Sequence, residues 1–458
     1  MQIKEFLDSV CEQIKYKPIR ENIAEELKNH IEESKENYMQ EGMEETTAEE
    51  KAIEQMGEAQ EIGKKLNKIH KPKLDWKLLI IVLILLCFGF LVSFIRTGHL
   101  LTNGDETNAM AKYVSFLTIG ILLSIPIYFI DYRRIIKYSN VLYGIASGVI
   151  IWALFLGINI NGIPHIYIFP ISSSISPVII AMPLYIIAFV GFINNLNKEN
   201  KLSEIISKYI NIKVNMNLVK IIILSILSLG FLTLIPSRAS ALALGLTYLI
   251  LSTVKIMQAK ENKIKNIAKL WGTVTIVGMC LLIFILITSP FILERITEII
   301  NPESDPHGGG WVAMNRKTII ESAKMFGEAE NKSNALYLFD EGTDFAFISI
   351  LAHYGWAVSI AIVLAIIALS IKLILNAIKI KDNYGKLLII GISSMFILQA
   401  IFNILMNLNL WIESGFNFPF VSYGGTNLVI NMMSLALILS IYRKKDIIIM
   451  QNMPFEKE

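Results

Sequence analysis

Charge is scarce in this 458-residue chain. Asp, Glu, Lys and Arg make up 18% of it, against about 25% in soluble globular domains. Mean hydropathy is +0.53 and 53% of the residues are hydrophobic. A soluble chain of this length divides into two or three cores, and such hydropathy argues against that. Cysteine is also nearly missing: there are Cys11, Cys87 and Cys280, the last two in apolar runs. That excludes a disulfide scaffold. The composition further excludes a disordered chain and a collagen-like fibre. No secretory leader is expected, because the first residues are charged and amphipathic, so the first apolar segment is expected to act as the membrane signal. What remains is an all-α polytopic membrane protein.

The few charges are unevenly placed. Residues 1–70 hold 10 Lys/Arg and 17 Asp/Glu, net −7, while the remainder carries 32 and 22, net +10. The switch marks a boundary near Lys71–Lys73 and predicts a helical cytoplasmic domain over 1–72. Ile19, Ile23, Leu27 and Ile31 recur every four residues, so they line one helix face. Helices are expected near 3–15, 19–40, 48–56 and 59–69, with a capping box at Thr47 and Glu50 and a C-cap at Gly57. The stretches Ile23–Glu33, Glu41-Gly42, Glu49–Ala52 and Met56–Ala59 resemble the permease-prefix or HAAS-type domain. That domain's family function is poorly defined and implies no chemistry. No metal-ligand spacing or nucleotide loop occurs within it.

Ten apolar segments reach spanning length. They lie near 76–95, 113–130, 141–160, 177–194, 219–235, 239–254, 270–292, 345–371, 387–410 and 427–442. The fifth and sixth share Pro236 and are expected to form a tight hairpin. Alternate connections carry the basic residues: Arg133, Arg134 and Lys137, then Lys198 to Lys220, Lys255 to Lys269, Lys372 to Lys386, and Arg443 to Lys445. By the positive-inside rule these face the cytoplasm. The membrane domain is thus 73–445, with both termini and a tail at 446–458 on the cytoplasmic side. The long loop 293–342 then faces outside.

Long loops in compact folds tend to be functional or disordered. This one carries turn signals at Asn301-Pro302, Asp305-Pro306 and Gly308–Trp311. An interfacial helix is expected over Asn315–Phe326, with Ile319, Ile320, Ala323 and Phe326 on one side. The loop ends at Asp340–Phe347, and Asp344 stands where it becomes an apolar helix. A carboxylate at the membrane boundary is costly unless paired, which makes it a functional candidate. The competing reading is a helix N-cap. The last connection, Trp411–Thr426, contains Gly424-Gly425. Their amides suit an anionic or sugar ligand, or else the pair serves a tightly packed turn.

Here the sequence resembles a known family. Phe418-Pro419-Phe420-Val421-Ser422-Tyr423-Gly424-Gly425-Thr426 is close to the LPFxSYGGS motif of the SEDS proteins (FtsW, RodA and SpoVE). Gln399–Asn403, Asp131–Arg133, Arg295-Ile296, Pro302, Asp305-Pro306 and Gly310-Trp311 fall in the same family order, and Thr343-Asp344-Phe345 matches its HTDF segment. The resemblance covers roughly 76–445. It implies a peptidoglycan glycosyltransferase that polymerises lipid II during division, elongation or sporulation. The implied partners are lipid II, a class B penicillin-binding protein and membrane lipids, with no nucleic acid. The family's essential aspartate falls on Asp344. A sugar hydroxyl attacking an anomeric carbon needs a base, and a lipid-diphosphate leaving group needs cations. Asp344 is therefore the expected base or metal-positioning group. Expected substrate contacts are Arg238, Arg295, Lys324, Asp340, Ser422, Gly424 and Gly425, with Arg316 and Lys317 as further cations, and magnesium or another divalent cation as cofactor.

The chain departs from the family at several charged places. His165 and Ile166 stand for its Arg-Trp, Ser174–Ala181 lacks its Glu and Lys, and Ile235–Ser240 lacks its Asp. Ala352 and His353 replace a Glu pair, whereas Asp340 keeps a carboxylate. A lone His is more often structural than functional, so His165 and His353 are weak substitutes. The losses leave two competing readings open. One is a non-catalytic scaffold for a transpeptidase. The other is a lipid-linked precursor transporter, for which no broken-helix pair of the transporter kind is evident.

Overall fold

A computed structural model describes residues 2–69, 73–102, 108–160, 163–168, 173–196, 215–235, 237–258, 269–272, 297–333, 343–413 and 415–445. The chain divides into two compact units, one containing Met1–Asp75 and the other Trp76–Ser440.

The first unit holds four helices: α1 (Ile3–Gln13), α2 (Arg20–Gln40), α3 (Glu45–Met56) and α4 (Ala59–Ile69). Ile19, Ile23 and Ile31 are buried, and Leu27 packs against them, as the four-residue spacing predicts. Phe6, Val10 and Ile14 of the α1 segment complete the core. Gly57 caps α3 at φ +90° and donates its amide to Glu54. The start of α3 differs from the expectation. Its cap is Glu44, and Thr47 lies inside the first turn, donating its hydroxyl to the Glu44 carbonyl at 2.8 Å. The helix begins earlier because Glu45 and Thr46 offer no stop signal.

The second unit is mostly helical. Nine helices among the described residues are long and apolar enough to cross a membrane, and the chain is a multi-pass membrane protein. They include α5 (Trp76–Thr102), α6 (Ala109–Phe129), α7 (Ser139–Leu156, entered through a short helical turn from Tyr132), α8 (Pro177–Asn194), α9 (Met216–Leu234) and α10 (Arg238–Met257). The predicted seventh span, 270–292, lies almost wholly outside the described residues, as does Pro236. Helices α9 and α10 pack as a hairpin around that position.

The connection before α8 is not a bare loop. It forms a three-stranded antiparallel sheet of β1 (Ile158–Ile160), β2 (Ile163–Ile168) and β3 (Ser173–Ile175). Ile158 pairs with His165, and Ile166 with Ile175. Gly157 ends α7 in extended backbone, and the isoleucines that follow favour strand over helix.

Loop helix α11 (Gly309–Ser322) starts six residues before the predicted Asn315 and stops before Phe326. Of the glycines read as a turn signal, Gly308 is the cap and Gly309 and Gly310 lie in the helix, where a side chain on Gly310 would collide with the Pro302 and Asp305 carbonyls. Ile319 is buried, but Phe326 is 74% exposed.

The predicted span 345–371 is two helices, α12 (Ala346–Tyr354) and α13 (Trp356–Lys379), broken at Gly355. Gly355 takes φ +82°, a conformation that favours glycine. The amides of Trp356 and Ala357 donate to the carbonyls of Lys324 and Met325, each at 3.0 Å. The break is therefore satisfied by the long loop. Helices α14 (Asn383–Asn407) and α15 (Gly425–Arg443) complete the set. With α8, they are the most buried spans, and α14 packs against α8, α10, α12 and α13.

Candidate active site

Asp344 lies in the turn Thr343–Phe345 that leads into α12. The cap position of α12 is Phe345, which makes no side-chain cap bond, so Asp344 stands one residue ahead of the cap. Its Oδ2 lies 4.0 Å from where a side chain on Gly415 would begin. The aspartate thus faces the connection between α14 and α15.

Two asparagines of α14 hold this turn. Asn403 Nδ2 donates to the Asp344 carbonyl at 2.8 Å and to the Phe416 carbonyl at 2.6 Å. Asn407 Nδ2 donates to the same Asp344 carbonyl at 3.0 Å, and Asn407 Oδ1 accepts the Ile348 amide at 3.2 Å. From the other side, Ser422 Oγ donates to the Thr343 carbonyl at 2.6 Å and accepts the Phe418 amide at 2.6 Å. Asn403, Asn407 and Ser422 are all buried. Aromatic rings enclose them: Phe347 stacks on Phe418 with centroids 6.5 Å apart, and Phe402 on Phe416 at 5.8 Å. In such apolar surroundings an unpaired polar group costs about 1–3 kcal/mol, so the set is closely matched.

The predicted residues separate into three groups. Asp344 and Ser422 come together through the Thr343 carbonyl. Gly424 and Gly425 flank the same connection, but the space beside each is filled by protein. A side chain on Gly424 would begin 2.7 Å from Asn417 Nδ2, and one on Gly425 would overlap the Phe116 ring. Close packing accounts for both glycines. Arg238 opens α10 on an exposed position, in none of these contacts. Arg295 and Asp340 lie outside the described residues.

The remaining cations are mostly engaged. Lys324 pairs with Glu330 at 3.4 Å, and Lys317 with Glu321 at 4.0 Å. Arg316 is buried; it donates to the Met406 carbonyl at 2.8 Å and covers the Phe345 ring at 5.5 Å. It ties α11 to the start of α12 and the end of α14. His165 Nδ1 contacts the Ile163 carbonyl at 2.8 Å, and His353 Nδ1 contacts Ser349 at 2.9 Å. Both are local backbone bonds.

Three contributors, Arg96, Asn403 and Asn407, are not among the site residues expected from sequence. Arg96 of α5 sits 5.1 Å from the Tyr423 ring centroid. Burial raises the Tyr423 phenol pKa, and the Arg96 charge opposes that rise. Asn403 and Asn407 form an i, i+4 asparagine pair near the end of a largely apolar helix, which is the signal that could have found them. As for a divalent cation, no group of three His, Cys, Asp or Glu side chains gathers among the described residues. The donor set described there does not build a metal cage.

A family model described as "Cell cycle protein" (FtsW, RodA and SpoVE) matches residues 76–447. A probable peptidoglycan glycosyltransferase FtsW from Trichlorobacter lovleyi is 31% identical over 171 residues, covering 36% of this chain and 44% of that protein. Stage V sporulation protein E of Bacillus subtilis is 28% identical over 170 residues, covering 37% and 46%. The chain thus aligns with less than half the length of these two relatives. A probable FtsW from Nitrosomonas europaea is 24% identical over 82% of this chain and 94% of its own length. Among solved structures, one described as "Structural coordination of polymerization and crosslinking by a peptidoglycan synthase complex" superposes with a TM-score of 0.59 at 19% identity, covering 81% of this chain and 98% of that one. Thermus thermophilus RodA gives a TM-score of 0.53 at 16% identity, covering 81% and 97%. At these identities the structures support the fold.

Proposed function

The chain belongs to the FtsW/RodA/SpoVE family of cell cycle proteins, and from that membership we propose that it is a peptidoglycan glycosyltransferase polymerising lipid II. The supporting observation is the turn of Asp344, held against the Phe418–Gly425 connection by Ser422 and against α14 by Asn403 and Asn407. The turn sets the Asp344 carboxylate beside Gly415.

In this reading the 4-hydroxyl of one lipid-linked sugar attacks the anomeric carbon of another. The O–C bond forms as the bond to the lipid diphosphate breaks, with inversion from α to β. Asp344 takes the hydroxyl proton. Cations at the rim, Arg96 among them, meet the charge of the departing diphosphate. No step runs through a metal ion.

The protein sits in the bacterial cytoplasmic membrane with both termini inside and the loop 293–342 outside, as its Lys/Arg distribution favours. A class B penicillin-binding protein is the proposed partner. The helices α1 to α4 form the permease-prefix or HAAS-like domain. A prefix of this kind suits a paralogue with its own timing in division, elongation or sporulation. Deletion of the gene alone should then leave ordinary growth intact, and arrested division or elongation would count against this role. A catalytically degenerate scaffold is the second reading, favoured by the uncharged, fully buried Ala352 where the resembled family pattern has a Glu.

Synthesis of glycan strands from lipid II in liposomes tests the choice. Wild type should make polymer, with or without a transpeptidase, and Asp344→Asn should make none. Folded, partner-bound wild type that makes no polymer selects the scaffold.

A further inference from the structure

The first-turn amides of a helix have no partner inside it, and at the cap position of α12 Phe345 offers no side-chain acceptor. The first-turn amide of Ile348 goes to Asn407 Oδ1, reached from α14 at 3.2 Å. The same Asn407 side chain turns its amide nitrogen onto the Asp344 carbonyl at 3.0 Å. A single residue thus caps α12 from outside and grips the backbone of Asp344.

The direction of a side chain in a turn follows from the φ and ψ of the peptides around it. Those peptides are held from two separate elements. Asn403 and Asn407 of α14 converge on the Asp344 carbonyl, and Ser422 of the last connection takes the Thr343 carbonyl. All three side chains are less than 3% exposed, so no water competes for these bonds. Asn403 also joins the two elements, because its second N–H goes to Phe416.

We propose that Asn407, Asn403 and Ser422 are positioning residues that aim the Asp344 carboxylate, with Asn407 also capping α12. Their importance for turnover rests on the polymerase reading given above. Misplacing a reacting group by about 1 Å costs on the order of a hundredfold in rate, whereas substrate affinity depends on other contacts. The residues therefore act on kcat, with little effect on KM.

The test uses the full-length protein in liposomes. Asn407→Asp keeps the acceptor for Ile348 and removes the donor shared by Asp344 and Asn403. Ser422→Ala removes the hydroxyl, and Ser422→Thr restores it. Polymerisation kinetics on lipid II should show kcat lowered roughly tenfold or more by Asn407→Asp and Ser422→Ala, with KM within about twofold. Ser422→Thr should recover most of the rate. In parallel, carbodiimide labelling of Asp344 is followed by mass spectrometry. Its rate should change by about threefold or more in the two defective variants, since carboxylate access depends on the held geometry. Unchanged kcat, or kcat and KM altered together with no recovery by Ser422→Thr, overturns the proposal. So does unchanged labelling. If wild type makes no polymer, the polymerase reading falls, and the labelling result alone decides whether these residues aim Asp344.

Discussion

The amide of Trp356 donates to the carbonyl of Lys324 at 3.0 Å, and this bond fastens the long loop to the break between α12 and α13. Gly355 makes the break possible. It combines φ +82° with ψ −175°, a region almost restricted to glycine.

Gly355→Ala should destabilise the fold. The strained backbone costs about 1–3 kcal/mol, and the new methyl would begin 2.5 Å from the Lys324 carbonyl. Thermal unfolding in detergent should show a lower Tm for the variant than for wild type. An equal Tm would mean that the break does not depend on this conformation.

Gly425→Ala tests the packing account of the glycine pair. The methyl would meet the Phe116 ring of α6, and such overpacking costs about 1–3 kcal/mol. Adding Phe116→Ala should recover part of that loss. Additive effects in the double-mutant cycle would separate the two residues and return Gly425 to the ligand-binding reading.

Phe6→Ala removes a side chain that is 1% exposed in the core of the first unit. A truncation of this kind costs about 3–5 kcal/mol, which is large for a unit so small. Limited proteolysis of the full chain should cut the variant faster within residues 2–69. Identical cleavage patterns would show that this core contributes little.

Cys11 carries a pH signature. Burial raises its thiol above the ordinary value, the largest cause, with Arg20 acting in the opposite direction. A raised folded-state pKa contributes stability below the unfolded pKa and loses it as pH climbs through the folded one. The contribution is thus complete at neutral pH and fades above about 9. Alkylation of Cys11 with iodoacetamide at neutral pH should run slower than in the denatured chain, because the thiolate is the nucleophile. Equal rates would contradict the burial.

Sequence and structure divide according to range. The four-residue spacing of Ile19 to Ile31 and the lengths of the apolar runs were legible because helix periodicity and bilayer thickness act on neighbouring residues. The motif Phe418–Thr426 was legible through its resemblance to the SEDS motif, while its residue types alone left a ligand site and a packed turn open. The starts of α3 and α11 were misjudged by a few residues, since capping and turn signals compete locally and tertiary contacts choose between them. The break at Gly355 was missed for a similar reason. One glycine inside an apolar run is tolerated in a helix, and only the Lys324 and Met325 carbonyls show that the chain needs it to stop.

The residues by themselves determined a membrane-spanning helical chain, an acidic helical domain ahead of it, and Asp344 as the carboxylate of interest. Each of these depends on composition, period or the identity of a short stretch. Only the tertiary structure decided that Asp344 lies outside its helix, that Asn407 caps that helix across 59 residues of sequence, and that Ser422 reaches Thr343 across 79. Hydrogen bonds between such distant residues depend on how whole helices pack, and no local pattern encodes that distance.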